Sequence, residues 1–285
     1  MACGAKITAD HPAGRRGERK ANVPAGCKNS NLLHDLRTMN GWPVHSFQSW
    51  DDFLQGQVLL IDKPREWTSF DVVNKVRHLI RRGGGFKKIK VGHAGTLDPL
   101  ATGVLVLCTG RMTKRIAELS AEDKAYDGHF TFGANTDSHD LEMPLIPVGP
   151  TDGLSLDSLR ETALAFTGQI EQLPPNFSAK KVGGQKAYVA ARKGKDIGLS
   201  PVPVQVHRFD ITAWEDPKMS FDILCSKGTY IRSFARDLGK VTGCGAHLSA
   251  LRRTASGAFN LDECWSVEEF EARISTLPDP ISAPG

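Results

Sequence analysis

The stretch KVGHAGTLDPLATGVLVLCTGR, residues 90–111, decides how the rest of the chain is read. Its second half contains an apolar run, Val104 to Leu107, that reads as a buried strand. Its first half is a loop with Gly92, Gly95 and Gly103, residues that let a backbone approach another surface closely. Asp98 lies between the two. Working back from it, no acidic residue occurs until Asp71, while Lys75, Arg77, Arg81, Arg82, Lys87, Lys88 and Lys90 fill the interval. One carboxylate thus ends a basic approach, on a loop that a strand holds still, and such loops are where chemistry concentrates. The same residues fit a plainer use, with Asp98 capping a helix and Pro99 at its first position. A phosphate loop fits less well, because the glycine spacing matches neither G-x-x-x-x-G-K-[ST] nor G-x-G-x-x-G. Spacing alone leaves cap and catalyst both open.

The chain has 285 residues, 40% hydrophobic and 24% charged, enough for one large core or two modest ones. Net charge is only +4, yet the clustering of Lys and Arg makes an acidic polymer a reasonable partner. Six widely spaced cysteines without a C-x-x-C pair indicate neither a zinc site nor a disulfide framework, and suit a reducing cytoplasm. No apolar run reaches the roughly 18 to 20 residues that span a bilayer, and the N-terminus lacks the apolar core of a secretory signal. A cytoplasmic protein is expected.

Residues 1–50 read as a poorly ordered extension, in which Arg15, Arg16, Arg19 and Lys20 either touch nucleic acid or are simply solvated. A short buried strand follows at 58–63 and stops at Pro64. Thr68 and Asp71 then form a capping box for a helix whose apolar face is Val72, Val73, Val76, Leu79 and Ile80. Thr113 predicts the start of a second helix, running to Leu119. Residues 124–133 alternate as a strand carrying Tyr126, one of three tyrosines. Residues 134–155 are a turn-rich connection, and 156–166 an amphipathic helix. In 172–195, cations alternate with Phe177 and Tyr188, a pattern that suits a flexible single-stranded or looped nucleic acid, where phosphates meet charge and rings stack on bases, or else a solvated helix. Strands are predicted at 202–206 and 219–225. A helix from Thr229 should bury Ile231, Phe234, Ala235, Leu238 and Val241, leaving Arg232, Arg236 and Lys240 as one cationic stripe. Ser266 and Glu269 cap a last helix, and 276–285 reads as a frayed tail.

Four segments, in this order, resemble the bacterial tRNA pseudouridine-55 synthases of the TruB type: GHAGTLDPLATG at 92–103, KAY at 124–126, the insertion from Ser178 to Arg192, and CSKGTYIR at 225–232. The likeness runs from about Phe53 to Glu271. It implies a mixed α/β (α+β) fold, the pseudouridine synthase fold, with a long, largely antiparallel sheet flanked by helices and a cleft across its middle. Residues 51–275 would form the catalytic domain, with an RNA-binding insertion at about 134–200. The small C-terminal RNA-binding domain of many relatives is expected to be missing.

The reaction implied is the isomerisation of uridine to pseudouridine in the T-arm of tRNA, with no cofactor, no metal, no membrane and no required protein partner, carried out by a monomer. Asp98 would be the nucleophile, and a carboxylate suits that part because it is already ionised at neutral pH and needs no activating base. Arg232 would orient it through a two-pronged fork that Lys could not copy. Tyr126 would stack on the target base, Leu251 form an apolar wall, and His93 fill the gap that an extruded base leaves. Lys180, Lys181, Tyr188 and Arg192 resemble the family's RNA-gripping thumb. Lys63 and Lys227 are further candidates for phosphate or pocket contacts. Residues 136–140 keep the family's pattern, but LEMP at 141–144 replaces its usual glycine turn. Two other readings share the scaffold: a guide-RNA-dependent synthase of the dyskerin type, and a noncatalytic RNA-binding module.

Overall fold

The computed structural model of the protein describes residues 41–178, 180–182, 185–187 and 198–280. Residues 42–50, expected in the extension, pack on the body instead: Val44 and Trp50 are buried, and Trp50 Nε1 donates to the Pro278 carbonyl at 2.9 Å. Trp42, Val44, Phe47 and Trp50 supply enough apolar surface to anchor a stretch that has no regular period.

In chain order the elements are α1 (Asp51–Gln55), β1 (Val58–Lys63), α2 (Ser69–Gly83), β2 (Val91–His93), β3 (Thr102–Thr109), a 3-10 turn Gly110–Arg115 and α3 (Ile116–Ala121). There follow β4 (Lys124–Phe132), the small hairpin β5 (Ala134–Asn135) and β6 (Ile146–Pro147), α4 (Leu156–Leu164), β7 (Gly168–Gln172), β8 (Lys181–Val182) and β9 (Gln185–Lys186). The chain then forms β10 (Val202–Glu215), β11 (Lys218–Cys225), α5 (Ile231–Thr242), β12 (Ala246–Ser256), β13 (Phe259–Asn260) and α6 (Val267–Ile274).

Nine strands make the main sheet, in the order β1-β3-β12-β4-β11-β10-β7, with β2 on β3 and β13 on β12. Every pairing in it is antiparallel except β3 with β12, where only Arg252↔Thr102 and Arg253↔Gly103 meet, in parallel. This short seam joins two halves, each with its own core. On one side α2 and α6 bury Val72, Val76, Ile80 and Phe270 against Leu59, Ile61, Leu105 and Leu107. On the other, α4 and α5 bury Leu159, Phe234 and Leu238 against Phe130, Phe209 and Phe221. The mixed fold with its largely antiparallel sheet is as the sequence led one to expect.

The caps follow local chemistry. Thr68 and Asp71 close a reciprocal box at the start of α2, as Ser266 and Glu269 do for α6. Thr113 does not start a helix: its hydroxyl donates to the Gly110 carbonyl at 2.8 Å inside the 3-10 turn, and α3 begins at Ile116. Strand β10 runs well past 206 because β7 and then β11 pair with it along its length. Helix α5 begins at Ile231, two residues later than predicted, since Tyr230 stays extended and donates its N–H to Gln172 Oε1 at 2.8 Å.

One row of residues crosses the seam. Lys63, Gly103, Arg253, Tyr126, Ile223 and Phe209 stand opposite one another on β1, β3, β12, β4, β11 and β10. Gly103 has φ +101°, and a Cβ there would lie 2.2 Å from the Arg253 carbonyl oxygen. Both the backbone angle and the space require glycine. Gly103→Ala should lower unfolding stability by about 2 kcal/mol or more, read as a reduced urea midpoint. An unchanged midpoint would show that the seam opens without cost.

Candidate active site

The loop carrying Asp98 is fixed from four sides. Ser69 Oγ donates to the Leu97 carbonyl at 3.0 Å and accepts the Leu97 N–H at 2.8 Å. The Pro99 carbonyl accepts from the Glu66 N–H at 2.8 Å and from Lys63 Nζ at 3.1 Å. Ala94 N–H donates to the Val106 carbonyl at 2.9 Å, and Arg253 donates to the Gly95 carbonyl at 3.3 Å. The Ala101 N–H closes a single turn on the Asp98 carbonyl at 3.1 Å, and the chain then enters β3. Asp98 therefore caps no helix; Pro99 takes the second position of a turn, which suits its fixed φ.

Lys63, a candidate for phosphate or pocket contacts, is fully buried and spends its ammonium on the carbonyls of Pro64, Trp67 and Pro99. It is a clamp under the loop rather than a ligand group. Its place on the row beside Gly103 directs it inward, which an isolated Lys-Pro pair does not reveal.

Arg232, in the first turn of α5, is 5% exposed, so the stripe predicted from its spacing does not exist as an open face. Its Nε donates to Asp98 Oδ2 at 2.8 Å and lies 3.4 Å from Asp140 Oδ2. Its two terminal nitrogens donate to the carbonyls of Ser138, at 3.0 Å, and Phe177, at 2.9 Å. The fork expected on Asp98 is thus spread over three segments, with one bond to each. Arg236 instead pairs with its neighbour Asp237. Asp140 is buried and itself held, accepting from Ser138 Oγ at 2.6 Å and Glu142 N–H at 2.9 Å. Sequence reading passed over Asp140, although it closes the 136–140 segment. Gln172 secures the start of α5 by accepting the Tyr230 N–H and donating to the Tyr230 carbonyl at 3.1 Å.

Asp98, Tyr126, Arg232, His93, Leu251 and Lys227 all line one cavity of about 610 Å³. The Asp98 side chain keeps 38% of its surface exposed there. Burial pushes the Tyr126 phenol above its ordinary pKa, and the charge of Arg253 opposes this. Burial, then the charge of Arg253, holds His93 below the usual imidazole value, so its ring is neutral at pH 7. Lys124 also lines the cavity; burial lowers its pKa to about 8, and its ammonium donates to the carbonyls of Ser120 and Glu122. Lys180 does not line it; its carbonyl accepts from the Ala187 N–H at 2.8 Å. Lys181 opens β8, and Tyr188 and Arg192 lie outside the described residues. Arg253, wholly buried beside Tyr126, is not among the residues that the sequence singled out.

Residues 81–231 match the family described as TruB family pseudouridylate synthase (N terminal domain), and 232–278 match tRNA pseudouridylate synthase B C-terminal domain. The second match covers α5, β12 and α6, which belong to the main sheet and its flanking helices. Curated relatives named tRNA pseudouridine synthase B include one from Phocaeicola vulgatus, 48% identical over 77% of this chain and 93% of its own. Another, from Flavobacterium johnsoniae, is 46% identical over 79% and 98%. Among solved structures, a Cbf5-Nop10-Gar1 complex contains a chain with TM-score 0.58 and 26% identity over 77% of this one. The match spans about half, 54%, of that longer chain.

The buried amines give a pH signature. Lys63 and Lys124 both have pKa values lowered from 10.5 to about 8, by burial above all. Between those values the folded protein has released protons that the unfolded chain still holds, so their contribution to stability rises with pH through that window. The urea midpoint of wild type should therefore climb relative to that of Lys124→Met between pH 7.5 and 10. Parallel pH curves for the two proteins would show that Lys124 does not titrate there.

Proposed function

The chain belongs to the TruB family of pseudouridylate synthases, and on that premise we propose that it isomerises uridine to pseudouridine at position 55 in the T-loop of tRNA. The observation that carries this reading is the Asp98 carboxylate, exposed to a cavity floored by Tyr126 and held by an almost fully buried Arg232. The uracil N1 to C1′ bond breaks, the base turns while held, and a C5 to C1′ bond forms. C5 loses its proton and N1 ends with one.

Asp98 is the nucleophile. Arg232 engages Oδ2, fixing the carboxylate's direction, and leaves Oδ1 to the nucleoside. A uridine in a folded loop must first be extruded, at a cost of a few kcal/mol. Tyr126 stacks on the extruded base, Leu251 closes the other side, and the neutral ring of His93 occupies the vacated stack. Lys227, exposed at the cavity, meets a phosphate. Lys180, Lys181, Tyr188 and Arg192 belong to the insertion that grips the T-arm. No protein partner is required, and the enzyme works as a cytoplasmic monomer.

The guide-dependent alternative draws on the Cbf5 likeness, which is 26% identical and reaches about half of that chain. The relatives at 46–48% identity match over 93–98% of their own length and favour the stand-alone kind. A purely RNA-binding module would have no use for a carboxylate oriented by a buried arginine.

Purified protein should convert one T-loop uridine in an unmodified tRNA transcript, and Asp98→Asn should convert none while its tRNA affinity stays within about threefold. Turnover by that variant would remove Asp98 from the chemistry. Because the binding surface is basic, log affinity should fall linearly with log salt; an affinity flat from low to moderate salt would mean those cations face solvent in the complex.

A further inference from the structure

Arg253 is one of the largest wholly buried side chains in the protein, 1% exposed, and its acceptors among the described residues are all neutral. Its Nε donates to the Val104 carbonyl at 2.6 Å, a terminal nitrogen donates to the Gly95 carbonyl at 3.3 Å, and its charge acts on the phenol of Tyr126, its neighbour across the strand pair. Lys63 and Lys124 stand close enough for their charges to act against it. A guanidinium out of water normally requires an anion, since desolvation costs several kcal/mol per ion. Here cations and neutral dipoles surround it, at the wall of the cavity that holds Asp98.

The reaction supplies the missing anion, on the reading that the cavity takes an extruded uridine. When N1–C1′ breaks, the bonding pair stays on N1 and the detached uracil is negatively charged. It remains so until C5 bonds to C1′, which uses that pair and leaves the base neutral; C5 then releases its proton and N1 takes one up. We propose that Arg253 is a positioning residue for this isomerisation, holding the Tyr126 ring against the target base and supplying the positive potential that stabilises the detached, anionic base. The register puts it there: Arg253 and Tyr126 stand directly opposite on β12 and β4, while Gly103, opposite Arg253 on β3, carries no side chain to separate it from the loop of Asp98. A charge fixed in place before the bond breaks needs no reorganisation at the moment of reaction.

The test uses wild type, Arg253→Lys and Arg253→Met with a tRNA transcript carrying tritium at C5 of uridine, whose release reports loss of that hydrogen. Single-turnover rates are compared with tRNA affinity and with folding. Arg253→Met should turn over about 100-fold more slowly, as when one preorganised donor is lost, with affinity within about threefold. Arg253→Lys, which keeps the charge, should recover about a tenth of the wild-type rate. A folded Met variant within about threefold of wild type overturns the inference, and so does a Lys variant no faster than Met. If the Met variant does not fold, Arg253→Lys is measured alone and in the Tyr126→Phe background. Effects smaller together than their product support action through the phenol, and fully multiplicative effects overturn it. Failure of wild type itself to release tritium would instead remove the proposed function, which keeps the two claims separable.

Discussion

A guanidinium only 5% exposed must be matched on every side, and Arg232 is matched by groups from three distant parts of the chain. It reaches 134 residues back to Asp98, 94 to the Ser138 carbonyl and 55 to that of Phe177. Its Nε also lies 3.4 Å from the equally buried carboxylate of Asp140, and removing one partner of a buried pair of that kind typically costs about 3–5 kcal/mol, because the other charge is left without compensation. The loop of Asp98, the 136–140 turn and the segment before the insertion are thereby held in one arrangement. That arrangement points the carboxylate into the cavity.

The seam between β3 and β12 sets where this can happen. Two residue pairs join the halves of the sheet, and the active loop occupies the join, its Leu97 and Ala101 packing into the core on the side of α4 and α5. What the seam lacks in backbone pairing it recovers in side chains. Arg252 spans it on one face to Asp62 at 2.7 Å, and Arg253 on the other to the Val104 and Gly95 carbonyls. Gly103 permits both by letting the strands approach.

What was legible in the sequence was local or carried by family likeness. The capping box at Thr68 and the buried run at Val104 follow from residue types and period, and the structure places them as read. Asp98, Tyr126 and Arg232 were singled out together only through the order of four motifs, and they do line one cavity. The misreadings share a cause. Lys63 read as a candidate for phosphate or pocket contacts and Arg232 as part of a helix stripe because spacing along the chain cannot report which charges the fold will bury. Asp140 and Arg253 were missed as site residues because their importance lies in partners more than 90 residues away, to which no spacing rule extends.

Arg232 acts as a three-way anchor whose Nε–H fixes Asp98. The direct measurement is the single-turnover rate of pseudouridine formation by Arg232→Lys, set beside its tRNA affinity. Lys keeps the charge but lacks the planar set of donors that reaches Asp98, Ser138 and Phe177 at once. The predicted result is a fall in rate of about 100-fold or more with affinity within about threefold. A Lys variant that isomerises uridine at the wild-type rate would show that charge alone suffices and would contradict the anchor.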